Sequence, residues 1–189
     1  LLRSLHSFCS QADFQVVELR KSVIHIAIDH FFAPNDARVH FHNRNGIDYL
    51  NDASVHSADM VFADMYQAYS MEGFQSSERF LEQCWKLLTA DGWLIINFHE
   101  LPYFGDPYLD RMCDLFPEVL CCGTSSGNYV VMCGKQKLAQ SLPEFQDGLD
   151  ELEQRFDVSL QRSFSRIFKL STPGAKRARA NYQALCRST

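Results

Sequence analysis

Two apolar stretches of this chain run into a carboxylate and stop. In "FQVVELRKSV" the acid is Glu18, and in "ADMVFADMYQAY" it is Asp64. A buried strand that ends in an acid places a charge where desolvation is costly unless something pairs with it. In open α/β sheets the carboxyl ends of the strands are where ligands lie. Asn45 with Gly46, in "HNRNGIDYL", and Asn97 through His99, in "LIINFHE", fall at the equivalent point of two further strands. Taken singly, each acid also fits a solvated loop carboxylate or a helix cap. Taken together on one rim, the four positions read as a nucleoside pocket. Glu18 would accept the ribose hydroxyls, the Asn45 amide would meet the adenine edge, Gly46 would let the backbone approach the ring, and Asp64 would face the reacting end.

The elements that must position these groups follow from the spacing of apolar residues. Leu1, Leu2, Leu5 and Phe8 recur at helical intervals. Residues 14–19 read as a strand and 21–31 as a helix stopped by Pro34. "RVHFHN" (38–43) alternates as a strand and "GIDYLND" follows as a short helix. Residues 58–64 form an apolar strand. "SSERFLEQCWKLLTADG" is a helix with Phe80, Leu81, Cys84, Trp85 and Leu88 on one face, capped by Ser76 or Ser77 and followed by Gly92. "WLIINFH" (93–99) has the continuous apolarity of a strand covered on both faces. "DPYLDRMCDLF" is a helix, and "EVLCCGT" and "NYVVMCGK" are two strands joined through "SSG". Strands alternating with helices up to a closing hairpin predict an α/β fold: a doubly wound, mostly parallel sheet with a C-terminal antiparallel hairpin. From Leu142 the pattern turns helical, with Phe145, Leu149, Leu152, Phe156 and Leu160 on one stripe until "STPG". That Phe-rich stretch, 145–168, reads as core or as a homodimer interface.

The remaining composition narrows the class. The 189 residues are 46% hydrophobic, enough for one good core in one domain. A net charge of −5 argues against nucleic acid as partner, and Lys176, Arg177, Arg179 and Arg187 in the tail read as a solvated helix face. Seven cysteines without a CxxC pair fit a reducing, cytoplasmic setting, with Cys121 and Cys122 as core. No apolar run approaches the roughly 20 residues of a membrane span, and "LLRSLHSFCS" is a poor signal peptide. His40 and His42 share a strand face without an acid or Cys at zinc-site spacing, so no metal is expected. His99 reads as a loop histidine or a proton carrier, and Tyr66 and Tyr69 as ligand walls or as loop aromatics packed on a helix.

The order of "VVELRKSVIHIAIDHFF", "DARVHFHNRNGIDYL", "ADMVFADMYQAY", "LTADGWLIINFH" and "CCGTSSGNYVVMCGK" resembles the spermidine synthase-like proteins over residues 1–135. These polyamine aminopropyltransferases have the Rossmann-like fold of the class I S-adenosylmethionine-dependent methyltransferases. The resemblance implies a methyltransferase-like nucleoside-binding domain over 1–138 and a C-terminal helical extension over 139–189. It implies S-adenosylmethionine, or its decarboxylated form, as a substrate-type cofactor, and a polyamine as a possible partner. It gives Glu18 the ribose, Asn45-Gly46 the adenine in place of an Asp-Gly pair, and Asp64 the aminopropyl group and attacking amine. Gln67 stands where the family has a second acid, Thr124 where it has a hairpin Tyr, and Arg20 where an acid follows the ribose-binding one. Gln67 can neither take a proton nor hold a polyamine by charge. The fold also calls for a first, central strand and a Gly-rich turn, which this sequence does not contain. "LLRSLH" resembles the helix after such a turn, so further N-terminal sequence is expected. Three functions stay open: aminopropyl transfer to an amine, methyl transfer to another acceptor, or a non-catalytic member serving as a binding or dimerisation module.

Overall fold

The computed structural model describes residues 1–67, 70–71, 73, 75, 77–101, 106–124 and 127–170. They form two compact units, Leu1–Ala53 and Ser54–Thr189.

In the first unit, α1 (Leu2–Phe8), β1 (Phe14–Glu18), α2 (Lys21–Phe31), β2 (Val39–Asn43) and α3 (Gly46–Asp52) follow the alternation read from the sequence. β1 and β2 pair in parallel with Phe14 opposite Val39 and Glu18 opposite Asn43. Helix α2 ends before Pro34 is reached, because Phe32 turns into the left-handed region at φ 53°. The Arg38 guanidinium ties α1 to the entry of β2 through the carbonyl of Cys9 at 2.9 Å.

In the second unit the sheet runs β3 (Ala58–Ala63), β6 (Leu88–Phe98), β8 (Tyr129–Gly134), β7 (Glu118–Gly123), β9 (Ile167–Lys169). The β3–β6 pair is parallel and every later pairing is antiparallel. Two short strands, β4 (Tyr66–Gln67) and β5 (Ser70–Met71), pair with each other. Helices α4 (Glu78–Leu87) and α5 (Pro107–Leu115) pack together, α4 on β6 and α5 on β7. Their starts obey local chemistry: Ser77 Oγ accepts from the Phe80 amide at 3.2 Å, and Asp106 accepts from the Tyr108 amide with Pro107 in the first turn. Ser76, the other cap expected, lies outside the described residues. Phe80, Leu81, Leu94, Ile96, Leu109, Met112 and Val119 meet in a closed core.

Three expectations are corrected. Helix α4 stops at Leu87, not at Gly92, and Leu88 opens β6. The helix's last carbonyls are met from elsewhere: Lys135 Nζ donates to those of Trp85 and Leu88 at 2.9 Å each, and the His56 and Ser57 amides donate to those of Lys86 and Leu87. A cation and two amides thus satisfy the helix end where a glycine cap was expected. Trp85 lies under that ammonium, 4.1 Å from ring centre to Nζ, so it is 37% exposed and not on the packed face. Gly92 instead serves the register shift after Leu88, where a Cβ would sit 2.9 Å from that of Leu88.

Second, the apolar run of β3 is not buried along its length among the described residues. Leu94, Ile96 and Phe98 are buried, whereas Met60 and Phe62 on β3 are exposed. Among the described residues β3 pairs on one side alone, with β6.

Third, the C-terminal stretch is not wholly helical. After a 3₁₀ turn (Leu142–Gly148), α6 (Leu149–Phe156) and α7 (Gln161–Phe164), the chain adds β9 to the outside of β7. Phe164 and Phe168 sit four apart and mimic a helical stripe, and a three-residue strand is too short to show alternation. What fixes β9 is Glu118, 2% exposed, which accepts from Lys169 Nζ at 2.8 Å and from the Leu138 amide at 3.1 Å. "STPG" and the basic tail lie outside the described residues.

Breaking a buried pair by removing one partner is destabilising, since the other charge stays behind. Lys169→Met is therefore expected to cost about 2–3 kcal/mol, below the full range for an enclosed pair because Lys169 is part-exposed. Urea unfolding reads this, and Glu118→Leu combined with Lys169→Met should recover most of the loss.

Candidate functional site

Each unit presents polar side chains at the carboxyl ends of its parallel strands. In the first, Glu18 and Asn43 are opposite partners at the ends of β1 and β2. Glu18 Oε1 accepts from the Arg20 backbone amide at 2.8 Å, with Arg20 Nε 3.7 Å away. This turn back onto the next-but-one amide holds one carboxylate oxygen. Asn43 Nδ2 donates to the carbonyls of Glu18 at 3.1 Å and Leu19 at 2.8 Å, tying the two strand ends together. Asn45 caps α3: its Oδ1 accepts from the Ile47 amide at 2.8 Å, and Gly46 is the first helical residue. The oxygen expected to read adenine is thus engaged by the helix, which leaves the Asn45 Nδ2 donor.

In the second unit Asp64 follows β3 directly, and Asn97 lies one strand over on β6. Asn97 Nδ2 donates to Asp64 Oδ1 at 2.9 Å, and Asn128 Nδ2 donates to Asn97 Oδ1 at 3.2 Å. Beneath them is Gln75, fully buried, whose Oε1 accepts from the Met65 amide at 2.7 Å. Its Nε2 donates to the Asn97 carbonyl at 3.4 Å, and its own carbonyl accepts from Tyr108 Oη at 2.8 Å. Burial pushes the Tyr108 hydroxyl far above its ordinary range, so it stays a neutral donor. His99 is exposed just beyond β6. The side chains of Tyr66 and Gln67, and Tyr69 altogether, lie outside the described residues.

The structure thus joins Asp64 to Asn97, as neighbours on one rim, and finds Asn45 and Glu18 at strand ends of the other unit. Sequence reasoning missed Asn43, Gln75 and Asn128. Asn43 ends a strand with a polar residue as Glu18 does, which was the available signal. Gln75 and Asn128 stand in loops with no pattern around them. His42 is engaged by Gln15 Oε1 at 2.7 Å and packs on Tyr49, with ring centres 5.0 Å apart. Among the described residues no three His, Cys, Asp or Glu side chains gather as a metal site. No helix of the described residues is long and apolar enough to cross a membrane.

The fold is that of the class I methyltransferases and spermidine synthases. Human methyltransferase-like protein 13, solved with SAH, superposes with a TM-score of 0.69 at 20% identity, over 83% of this chain and 77% of its own. A probable spermidine synthase from Corynebacterium glutamicum gives 0.64 at 19% identity, over 78% of this chain and 57% of its own. A spermidine synthase bound to the transition-state analogue AdoDATO gives 0.59 at 17% identity, over 84% of this chain and 66% of its own. The chain therefore spans less than two thirds of either synthase. No family model matches the sequence, and no curated protein matches it.

Removing a side-chain N-cap costs about 1 kcal/mol. Asn45→Ala should lose that much in urea unfolding, whereas Asn45→Asp, which keeps the acceptor, should not. Equal losses in the two variants would show that the cap bond contributes nothing.

Proposed function

We propose that this protein binds an S-adenosyl-type nucleoside and transfers an alkyl group from its sulfonium to a nucleophile. The carrying observation is that strand-end carboxylates recur in a fold whose solved members hold SAH and AdoDATO. Glu18 and Asp64 each have one oxygen held by a local donor. In this reading Glu18 takes the ribose hydroxyls, Asn45 Nδ2 and the backbone at Gly46 take the adenine, and Asp64, with Gln67 and Tyr66 beside it in sequence, serves the reacting end.

The chemistry is an in-line displacement. The nucleophile's lone pair forms a bond to the carbon on sulfur, the C–S bond breaks, and its electron pair returns to sulfur as a neutral thioether. An amine nucleophile then loses a proton, for which Asp64 is the nearest acceptor in sequence to Gln67. The protein contributes position and electrostatics more than covalent chemistry. Aminopropyl transfer to a polyamine is the first form of this reading. Methyl transfer to another acceptor is the second, and Gln67 favours it, because a neutral amide does not anchor a polyamine cation. A reducing, cytoplasmic setting and a homodimer through 145–168 belong to the same proposal.

Calorimetry with methylthioadenosine and with S-adenosylhomocysteine tests it. Binding of the first with putrescine-dependent product supports aminopropyl transfer; preference for the second supports methyl transfer. Glu18→Ala should weaken either nucleoside about tenfold or more, as expected for lost hydrogen bonds to a charged group. Binding of neither nucleoside by the wild-type protein would leave only the non-catalytic module. Separately, Gln67→Asp should raise amine transfer, and an unchanged rate would count against a polyamine acceptor.

A further inference from the structure

We propose that Asn128 and Asn97 are positioning residues that form a one-way chain of amide donors ending on Asp64, and that this chain aims the carboxylate at a cationic ligand group. The inference rests on the nucleoside reading only for the identity of that ligand.

The direction of the chain is fixed by its carboxylate end. Asp64 offers only acceptors, so Asn97 must turn its NH₂ toward it, as the 2.9 Å contact requires. The Asn97 Oδ1 then faces the other way and needs a donor, which Asn128 Nδ2 supplies at 3.2 Å. Rotating either amide by half a turn would set oxygen against oxygen or donor against donor. Each bond therefore fixes the orientation of the next.

The backbone holds all three members. Asn97 pairs opposite Val130 in the β6–β8 ladder, two residues from Asn128. The Asn128 carbonyl accepts from both the amide and the hydroxyl of Thr124, at 2.8 and 3.0 Å, across the neck of the β7–β8 hairpin. Gly127, at φ 93°, supplies the left-handed residue that this turn needs. On the far side, Gln75 fastens the Met65 amide, directly after Asp64. Asp64 is thus restrained from both flanks, with Oδ1 engaged and Oδ2 without a protein donor among the described residues. Met60 and Phe62, which share β3's outward alternation with Asp64, form an exposed apolar approach to it. A carboxylate offers only acceptor oxygens, so the ligand group it meets is a donor or a cation. A sulfonium with an aminopropyl ammonium fits; an anionic substituent does not.

The test has two arms. The first needs no ligand: in side-chain amide NMR spectra, Asp64→Ala should shift the Asn97 NH₂ resonances, and Asn128→Ala should shift the same resonances. Asn97 resonances unmoved by Asp64→Ala would overturn the chain, whatever the protein binds. The second arm compares decarboxylated S-adenosylmethionine with neutral methylthioadenosine by calorimetry. Asn97→Ala should lower the preference for the cationic nucleoside about tenfold, the scale of a hydrogen bond to a charged group. Asn128→Ala should lower it less, and should add nothing in the Asn97→Ala background, because it acts through Asn97. Additive losses, or equal weakening of both nucleosides, would mark the asparagines as structural supports and overturn the proposal. If the wild-type protein binds neither nucleoside, the nucleoside reading falls and the amide spectra alone decide whether the chain exists.

Discussion

The β3–β6–β8 ladder is the constraint on which the second unit's polar rim depends. Backbone hydrogen bonds set Ala63 opposite Ile96, and Asn97 opposite Val130. Side chains opposite one another in a sheet project to the same face. A carboxylate on the residue after β3 and an amide on the next strand therefore meet without any loop needing to bring them together. A slip of β6 by one residue would turn Asn97 to the buried face and bring Ile96 and Phe98 out of it. The apolar residues on that face, packed under α4 and α5, hold the register and so hold the polar rim as well.

Below the rim, Gln75 is a fully buried polar side chain, and such a group is costly when its hydrogen bonds are unmade. Here both ends of its amide are satisfied and its carbonyl meets Tyr108. Tyr108 belongs to α5, so one hydrogen bond links the helix layer to the loop after Asp64. The Met65 amide, directly after Asp64, is held by a polar bond, a more directional restraint than packing.

Much of this architecture was legible in the sequence because burial and periodicity agree over long stretches. β1, α2, β2, α3, α5 and the β7–β8 hairpin fall within a residue or two of where spacing puts them. The failures share a cause. At the end of α4, the last carbonyls are met by Lys135, 47 positions from Leu88, and by the amides of His56 and Ser57, and local reading looks only for a glycine. At β9, the strand exists because Glu118 and the β7 edge recruit it, and three residues carry no period of their own. The exposed Met60 and Phe62 show the limit of inferring burial from apolarity: an apolar strand says that something can cover it, not what does.

The candidate positions divide along the same line. Glu18, Asn45 and Asp64 stand at ends of periodic elements, where a polar residue breaking an apolar run is itself the signal. Asn128 and Gln75 interrupt nothing, and only tertiary structure gives them partners. The two classes also differ in what they can do. A strand-end acid offers charge, but an exposed carboxylate on a single bond rotates freely and binds cations with little selectivity. The loop amides remove that freedom by occupying one oxygen from a fixed direction. Charge is therefore what sequence pattern reveals at these strand ends, and direction, at Asp64, is contributed by residues that pattern leaves unseen.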